Sequence, residues 1–238
     1  MEQLQKQILN YFKELNFKEN EHQYNISGVP IKISVSGLIK KYKFPTDWSK
    51  VLTNSAKKHR KSEAEVSKSW KESADEGCEI GNEAHLFGEI YAVDRSHKSM
   101  SGFDDAIKKF WADLPDYIVP LLLEVRMYHK KYMFAGTADI LLYNTRTGQI
   151  YIADYKSNKD LFKNYQGQKM TGPFKHLLCS PFNHYKLQLS YYQILLEQIG
   201  IKVSGRKLIW LKKDGTYLLY NLEDYSDVLR NELETKGI

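Results

Sequence analysis

The chain is expected to fold as an α/β (α+β) domain, a mixed central β-sheet flanked by helices in the order αβββαβ. Three observations carry that expectation. Two short strand-like runs, Ala135–Tyr143 and Gln149–Lys156, are separated by the turn pair Thr147-Gly148 and form a hairpin. A strand-like run before them, Leu121 to His129, makes a three-stranded meander. An amphipathic stretch, Asn183 to Ile199, then separates the meander from two more strands, and a helix bridging strands of one sheet implies a right-handed crossover and a parallel pair.

The elements follow in order. Glu2 to Phe17 carries Leu4, Ile8, Leu9, Phe12 and Leu15 at helical spacing. Tyr24 to Ser36 is strand-like and broken at Gly28-Val29-Pro30, and Ser36-Gly37-Leu38-Ile39 opens a second helix. The basic run Lys57-Lys58-His59-Arg60-Lys61 reads first as a solvated helix face and second as a phosphate contact. From Ser62 to Val93 a long helix places Trp70, Ala74, Gly77, Gly81, His85 and Gly88 on one face. Each glycine there costs about 1 kcal/mol relative to alanine, which implies a close approach by a sheet or a nucleic-acid strand. Gly102 to Leu114 is a packing helix with Phe103, Ile107, Phe110 and Trp111. Residues 157–183 read as a long loop, functional or mobile. Lys207–Leu211 and Tyr217–Tyr220 form a last hairpin through Asp214-Gly215.

Length and composition bound the rest. The 238 residues carry no linker, repeat or low-complexity tract and read as a single domain, with 1–61 an N-terminal helical and strand extension and 62–238 the core. At 42% hydrophobic and 27% charged residues, with no long apolar run, the composition is that of a soluble protein with no membrane segment and no secretory signal. Cys78 and Cys179 are read as reduced packing residues of a cytoplasmic protein. The net charge of +6 fits a polyanionic partner, and only six of the 35 basic residues are arginine. Lysine meets phosphate as a point charge, so the contact expected with DNA follows the backbone and not the bases.

The chemistry concentrates in the hairpin. Asp154 and Lys156 alternate onto the same face of one strand, and Asp139 joins them from the end of the other. Two carboxylates and an ammonium suit a hard divalent cation and an activated water, and hence cleavage of a phosphodiester. They suit a cross-strand salt-bridge ladder equally well. Acid-x-Lys recurs at Glu234-Thr235-Lys236 without a strand before it, so strand context separates the two. His85 alone reads as an ordinary helix residue sooner than as a ligand.

Taken in order, Gly81-x-x-x-His85 on a helix, Glu124 on a strand, Gly136-Thr137-Ala138-Asp139 on the next, Asp154-x-Lys156, and Gln188-x-x-x-Tyr192 on a helix resemble the RecB-like branch of the PD-(D/E)XK nucleases. That branch includes bacterial recombination nucleases, phage exonucleases and a mitochondrial genome-maintenance exonuclease, and the resemblance spans roughly Trp70 to Leu211. It implies a restriction-endonuclease-like core and Mg²⁺ or Mn²⁺ held by His85, Asp139, Asp154 and the backbone carbonyl of Tyr155. Lys156 would position and help deprotonate the attacking water, while Glu124 orients a metal-bound water, serves a second ion, or forms a salt bridge. Gln188 and Tyr192 lie beside the active site in that family and touch the DNA or the site residues. Trp70, Gly81 and Lys159 complete the expected DNA contacts.

Two departures stand out. Asp154 occupies a position where many relatives have Glu, and the four cysteines of the iron–sulfur relatives are missing. The function implied is a metal-dependent DNA exonuclease acting at free ends or single-stranded flaps in recombination, repair or phage DNA metabolism. It would work in a bacterial or phage-infected cytoplasm, with a recombination or replication protein as partner. A structure-specific or restriction-like endonuclease and a non-catalytic DNA-binding module are the alternatives.

Overall fold

The computed structural model describes residues 1–18, 21, 23–98 and 102–236. A mixed sheet forms the middle layer. Its strands are β4 (Ile33–Ser34), β5 (Ile118–Tyr128), β6 (Phe134–Asn144), β7 (Ile150–Lys156), β8 (Val203–Leu211) and β9 (Tyr217–Leu222). β5, β6 and β7 pair antiparallel, as the meander predicts, while β7 and β8 pair parallel across the helix α6 (Pro181–Glu197). The turns use the residues expected of them. Gly148 and Gly215 take φ of +73° and +79°, and the Asn144 side chain accepts the backbone N–H groups of Arg146 and Thr147.

Strand alternation divides the core between the two faces of the sheet. Ile150, Ile152, Leu208 and Trp210 point to one cluster, shared with α1 (Glu2–Phe12), α2 (Val35–Lys40), α6 and α7 (Ser226–Lys236). Ala153, Tyr155, Ile209 and Leu211 point to the other, shared with α4 (Glu63–Val93) and α5 (Asp104–Asp113). A helix layer therefore covers each face. The N-terminal stretch belongs to this same core, since Ile8, Phe12, Val35 and Leu38 are buried in the first cluster. The remaining helix, α3 (Trp48–His59), holds α4 through a Thr53-to-Glu63 hydrogen bond of 2.7 Å and ends in the basic run.

Two expectations are corrected. The first helix stops at Phe12, and Leu15–Lys18 forms β1, which pairs antiparallel with β2 (Gln23–Ile26) and, beyond the Ser27-Gly28 turn, β3 (Val29–Pro30). The Phe17 and Tyr24 rings meet across that ladder, tilted, with centres 4.6 Å apart, so pairing overrides the helical period of Leu15. The expected 157–183 loop ends early, because α6 begins at Pro181, and the remainder, 157–180, carries a 3₁₀ turn at Gly172–Phe174 and is anchored to the core. Leu161, Met170 and Phe174 are buried, and the Asn164 side chain donates to the carbonyls of Gln168 and Cys179 at 2.8 and 3.0 Å.

The long α4 begins where its sequence says it should, with Ser62 and Glu65 forming a reciprocal capping box. Its two halves differ. Val66 is the one buried residue before Ala84, whereas Ala84, Phe87, Gly88 and Ala92 pack on the sheet. At Gly88 the glycine is required, because a Cβ would lie 2.6 Å from Tyr155 Cε2. Nothing lies within 4 Å of a Cβ at Gly77, so close packing does not explain that glycine.

Candidate active site

The site forms where the sheet forks. β5 occupies one edge of β6 from Ala135 to Asn144. The other edge is shared: β4 pairs at Phe134 and Ala135, and β7 pairs from Ile140 to Tyr143. Between them, residues 136–139 have no ladder partner on that side among the described residues. The β6–β7 ladder stops at Ile140 opposite Ala153, one residue short of Asp139 and Asp154. The Asp139 side chain closes the gap, accepting the Tyr155 N–H at 2.9 Å. A backbone donor that the ladder would otherwise satisfy thus holds a carboxylate at the mouth of the fork.

β5 contributes a further carboxylate by a local distortion. After a bulge at Leu121, Glu124 falls in register opposite Asp139 but takes φ of +47°, a left-handed backbone in mid-strand. Such a conformation is strained for a non-glycine residue and breaks the pairing at this one position. From α4, His85 Nδ1 lies 3.2 Å from Asp139 Oδ2. One ligand atom each from His85, Glu124 and Asp139 falls within 4.8 Å of the other two. Three elements, α4, β5 and β6, converge on one point.

Asp154 and Lys156 adjoin this group. They share a face of β7 and form an ion pair, with Asp154 only 1% exposed. Asp154 Oδ2 meets the Lys156 ammonium, while Oδ1 is sealed from solvent and meets no donor among the described residues. From α6, Gln188 donates to the Tyr192 hydroxyl at 2.7 Å, and Tyr185 donates to Asn158 at 2.7 Å. The Lys156 ammonium lies 5.0 Å from the centre of the Tyr185 ring. Gly136 lets α6 approach: a Cβ there would stand 2.7 Å from Tyr192 Cε1.

Crowding sets the protonation states. Burial and the nearby Asp139 push Glu124 up to about 7 and Asp154 up to about 6. Burial also opposes ionisation of Asp139, but His85 and Lys156 outweigh it and hold that carboxyl below its ordinary range. Burial likewise opposes the charge on Lys156, and Asp154 and Asp139 reverse the effect, so the ammonium is held above its ordinary range. His85 is raised, its burial outweighed by Asp139.

A cavity of about 700 Å³ opens over this group. His85, Lys156, Lys159, Tyr185 and Gln188 line it, with the exposed half of α4 as one wall and Ser157–Lys159 as another. Of the residues singled out in the sequence, His85, Glu124, Asp139, Asp154, Lys156, Gln188 and Tyr192 are brought together at the fork or beside it. Tyr155 turns its ring the other way, against Gly88, and reaches the site through its backbone. Gly81 sits one turn before His85, where a Cβ would be in ordinary contact with Ser157 Oγ at 3.7 Å. Trp70 does not join them. It is exposed on α4, fifteen residues before His85, which places it about 22 Å away along the helix axis. The decoy Glu234 is exposed on α7, where Lys236 pairs with Glu232 instead.

No protein-family model matches the chain, and no curated protein matches it. Sequence reasoning missed Tyr185, although it stands three residues before Gln188 and seven before Tyr192 on one helical face. It also left the geometry of Glu124 unseen, since nothing in Leu-Glu-Val announces a left-handed residue.

Proposed function

We propose that this chain is a metal-dependent deoxyribonuclease that hydrolyses DNA from free ends or single-stranded flaps. The observation carrying the reading is the convergence of His85, Glu124 and Asp139 beside the Asp154–Lys156 pair at the fork of the sheet. Residue types, order and supporting elements match what the resemblance to RecB-like PD-(D/E)XK nucleases implies. The donor set fits a divalent cation: two carboxylates suit Mg²⁺, and the imidazole admits Mn²⁺. The buried Asp154 Oδ1, lacking any donor among the described residues, supports the same fit. His85, Glu124 and Asp139 would hold the ion, with Asp154 and the Tyr155 backbone adjoining.

A bound cation would polarise a phosphate oxygen and acidify a water. The remaining work falls to the chain. Lys156, kept protonated by Asp154, is poorly suited to take a proton; it serves as a fixed positive charge for the phosphorane. This modifies the role the sequence assigns it. That leaves proton acceptance from the attacking water to a carboxylate that is not engaged by the ion or to solvent. Gln188 fixes Tyr192 behind the site, and Lys159 offers a phosphate contact at the cavity edge.

The preference for ends follows the resemblance, and the cavity between the exposed half of α4 and Ser157–Lys159 is where a strand would enter. Linear and covalently closed circular DNA of the same sequence, incubated in Mg²⁺, test it. Progressive release of short products from the linear form, with the circle intact, is the expected result. Rapid linearisation of the circle would support the endonuclease alternative.

A further inference from the structure

A second cavity, of about 740 Å³, lies between the segment joining α2 to α3 and the anchored 157–180 segment. Its charge is one-sided. Lys40, Lys41, Lys43 and Lys163 line it, no carboxylate does, and none of the four lysines forms an ion pair among the described residues. Partial desolvation in the cleft draws Lys43 below its ordinary range, with Cys179 opposing the shift and Lys40 adding to it.

The apolar part of the lining is aromatic and open. Phe44, Trp48 and Tyr165 are 39%, 68% and 60% exposed. Large exposed rings beside unpaired lysines are unusual on a surface that has a core available to bury them. The combination matches one chemistry: phosphates on ammonium groups and unpaired bases on ring faces.

The cleft also adjoins the candidate active site. Ser36, near the start of the six-residue α2, lines the first cavity, and Lys40, at its end, lines the second. Four residues of helix separate them, about 6 Å of rise. On the other wall, Lys159 belongs to the first cavity and Lys163 to the second. The two cavities thus draw on the same two segments of chain.

We infer that the cleft of Lys40, Lys43, Lys163, Phe44, Trp48 and Tyr165 is a binding site for unpaired nucleic acid, holding a single strand through its phosphates and stacked bases. The inference rests on the nuclease reading only for the origin of the strand. Its occupant is a single strand and not a duplex, because rings can stack only on bases that are free.

Fluorescence anisotropy of a labelled long oligothymidylate, without divalent metal, provides the test. Trp48→Ala should lower the affinity for this oligomer roughly tenfold. Lys163→Glu should weaken binding and flatten its dependence on salt. Wild-type affinity in both variants, with Mg²⁺-dependent DNA cleavage intact, would overturn the cleft while leaving the nuclease reading in place. Binding through Trp48 with no cleavage by wild type would uphold the cleft and remove the nuclease reading. Polyglutamate competing as well as the oligomer, with Trp48→Ala without effect, would show a site for any polyanion and overturn the assignment to nucleic acid.

Discussion

Glu124 shows how much one residue can carry. Its left-handed backbone removes a rung of the β5–β6 ladder and turns a carboxylate towards Asp139 and His85. The site gains a negative group where negative charge already accumulates, which costs stability in the metal-free protein. The sign follows from titration. The folded carboxyl holds its proton up to about 7 against an ordinary 4.5, so the folded state binds more protons between those values and stability falls as pH rises through them. Glu124→Gln should therefore raise the stability of the metal-free protein at pH 8 by roughly 1–3 kcal/mol, with little effect below pH 4.5. Denaturant titration at the two pH values checks this, and equal effects at both would contradict it. The same groups must lose protons to bind a cation. Mn²⁺ binding near pH 6.5 should release protons, measurable by calorimetry in buffers of different ionisation enthalpy, and a release of zero would count against these ligands.

At the scale of elements, the sheet fork and the α4 helix do most to place the site. Gly88 lets α4 seat on Tyr155, whose N–H in turn holds Asp139. Gly88→Ala should overpack this contact, costing about 1–3 kcal/mol and lowering the melting temperature by roughly 3–10 °C. Gly77→Ala, which meets nothing, should be neutral or slightly stabilising. Thermal melts of the two variants compare them directly. This is also where the sequence is most and least readable. Alternation in Ile150–Lys156 and the periodicity of α4 and α6 gave the mixed sheet, because burial on two faces imposes those periods. The β1 strand was hidden by its neighbour: Leu15 continues the period of α1, and only pairing with residues 23–26 decides otherwise. The shared edge of β6 was equally hidden. It depends on the two-residue β4, too short to carry any pattern, arriving from a hundred residues upstream. The sequence could therefore name the members of the site, but not the fork that assembles them.

Across the whole molecule, lysines border both cavities. Lys159 borders the first cavity and four lysines border the second, against a net charge of +6. DNA affinity should fall steeply as salt rises, since each phosphate contact releases counterions. A flat salt profile would contradict backbone tracking. Among the described residues no helix is long and apolar enough to cross a membrane. Substituting Ca²⁺ for Mg²⁺ should preserve DNA binding and suppress hydrolysis, because a larger ion with looser coordination positions water and phosphate imprecisely. Full hydrolysis in Ca²⁺ would be inconsistent with the proposed chemistry.

As proposed here, the fork of the sheet at β6 and β7 is a hydrolytic metal site. Cleavage of end-labelled linear DNA by wild type and by Asp154→Asn, each with Mg²⁺ and with EDTA, tests it most directly. The substitution removes one buried charge and almost no volume, so the variant should fold and retain DNA affinity. Wild type should release label only with Mg²⁺, and Asp154→Asn should release at least a hundredfold less, in keeping with the loss of one preorganised charged group. Equal rates for the two proteins in Mg²⁺, or undiminished release in EDTA, would contradict the account.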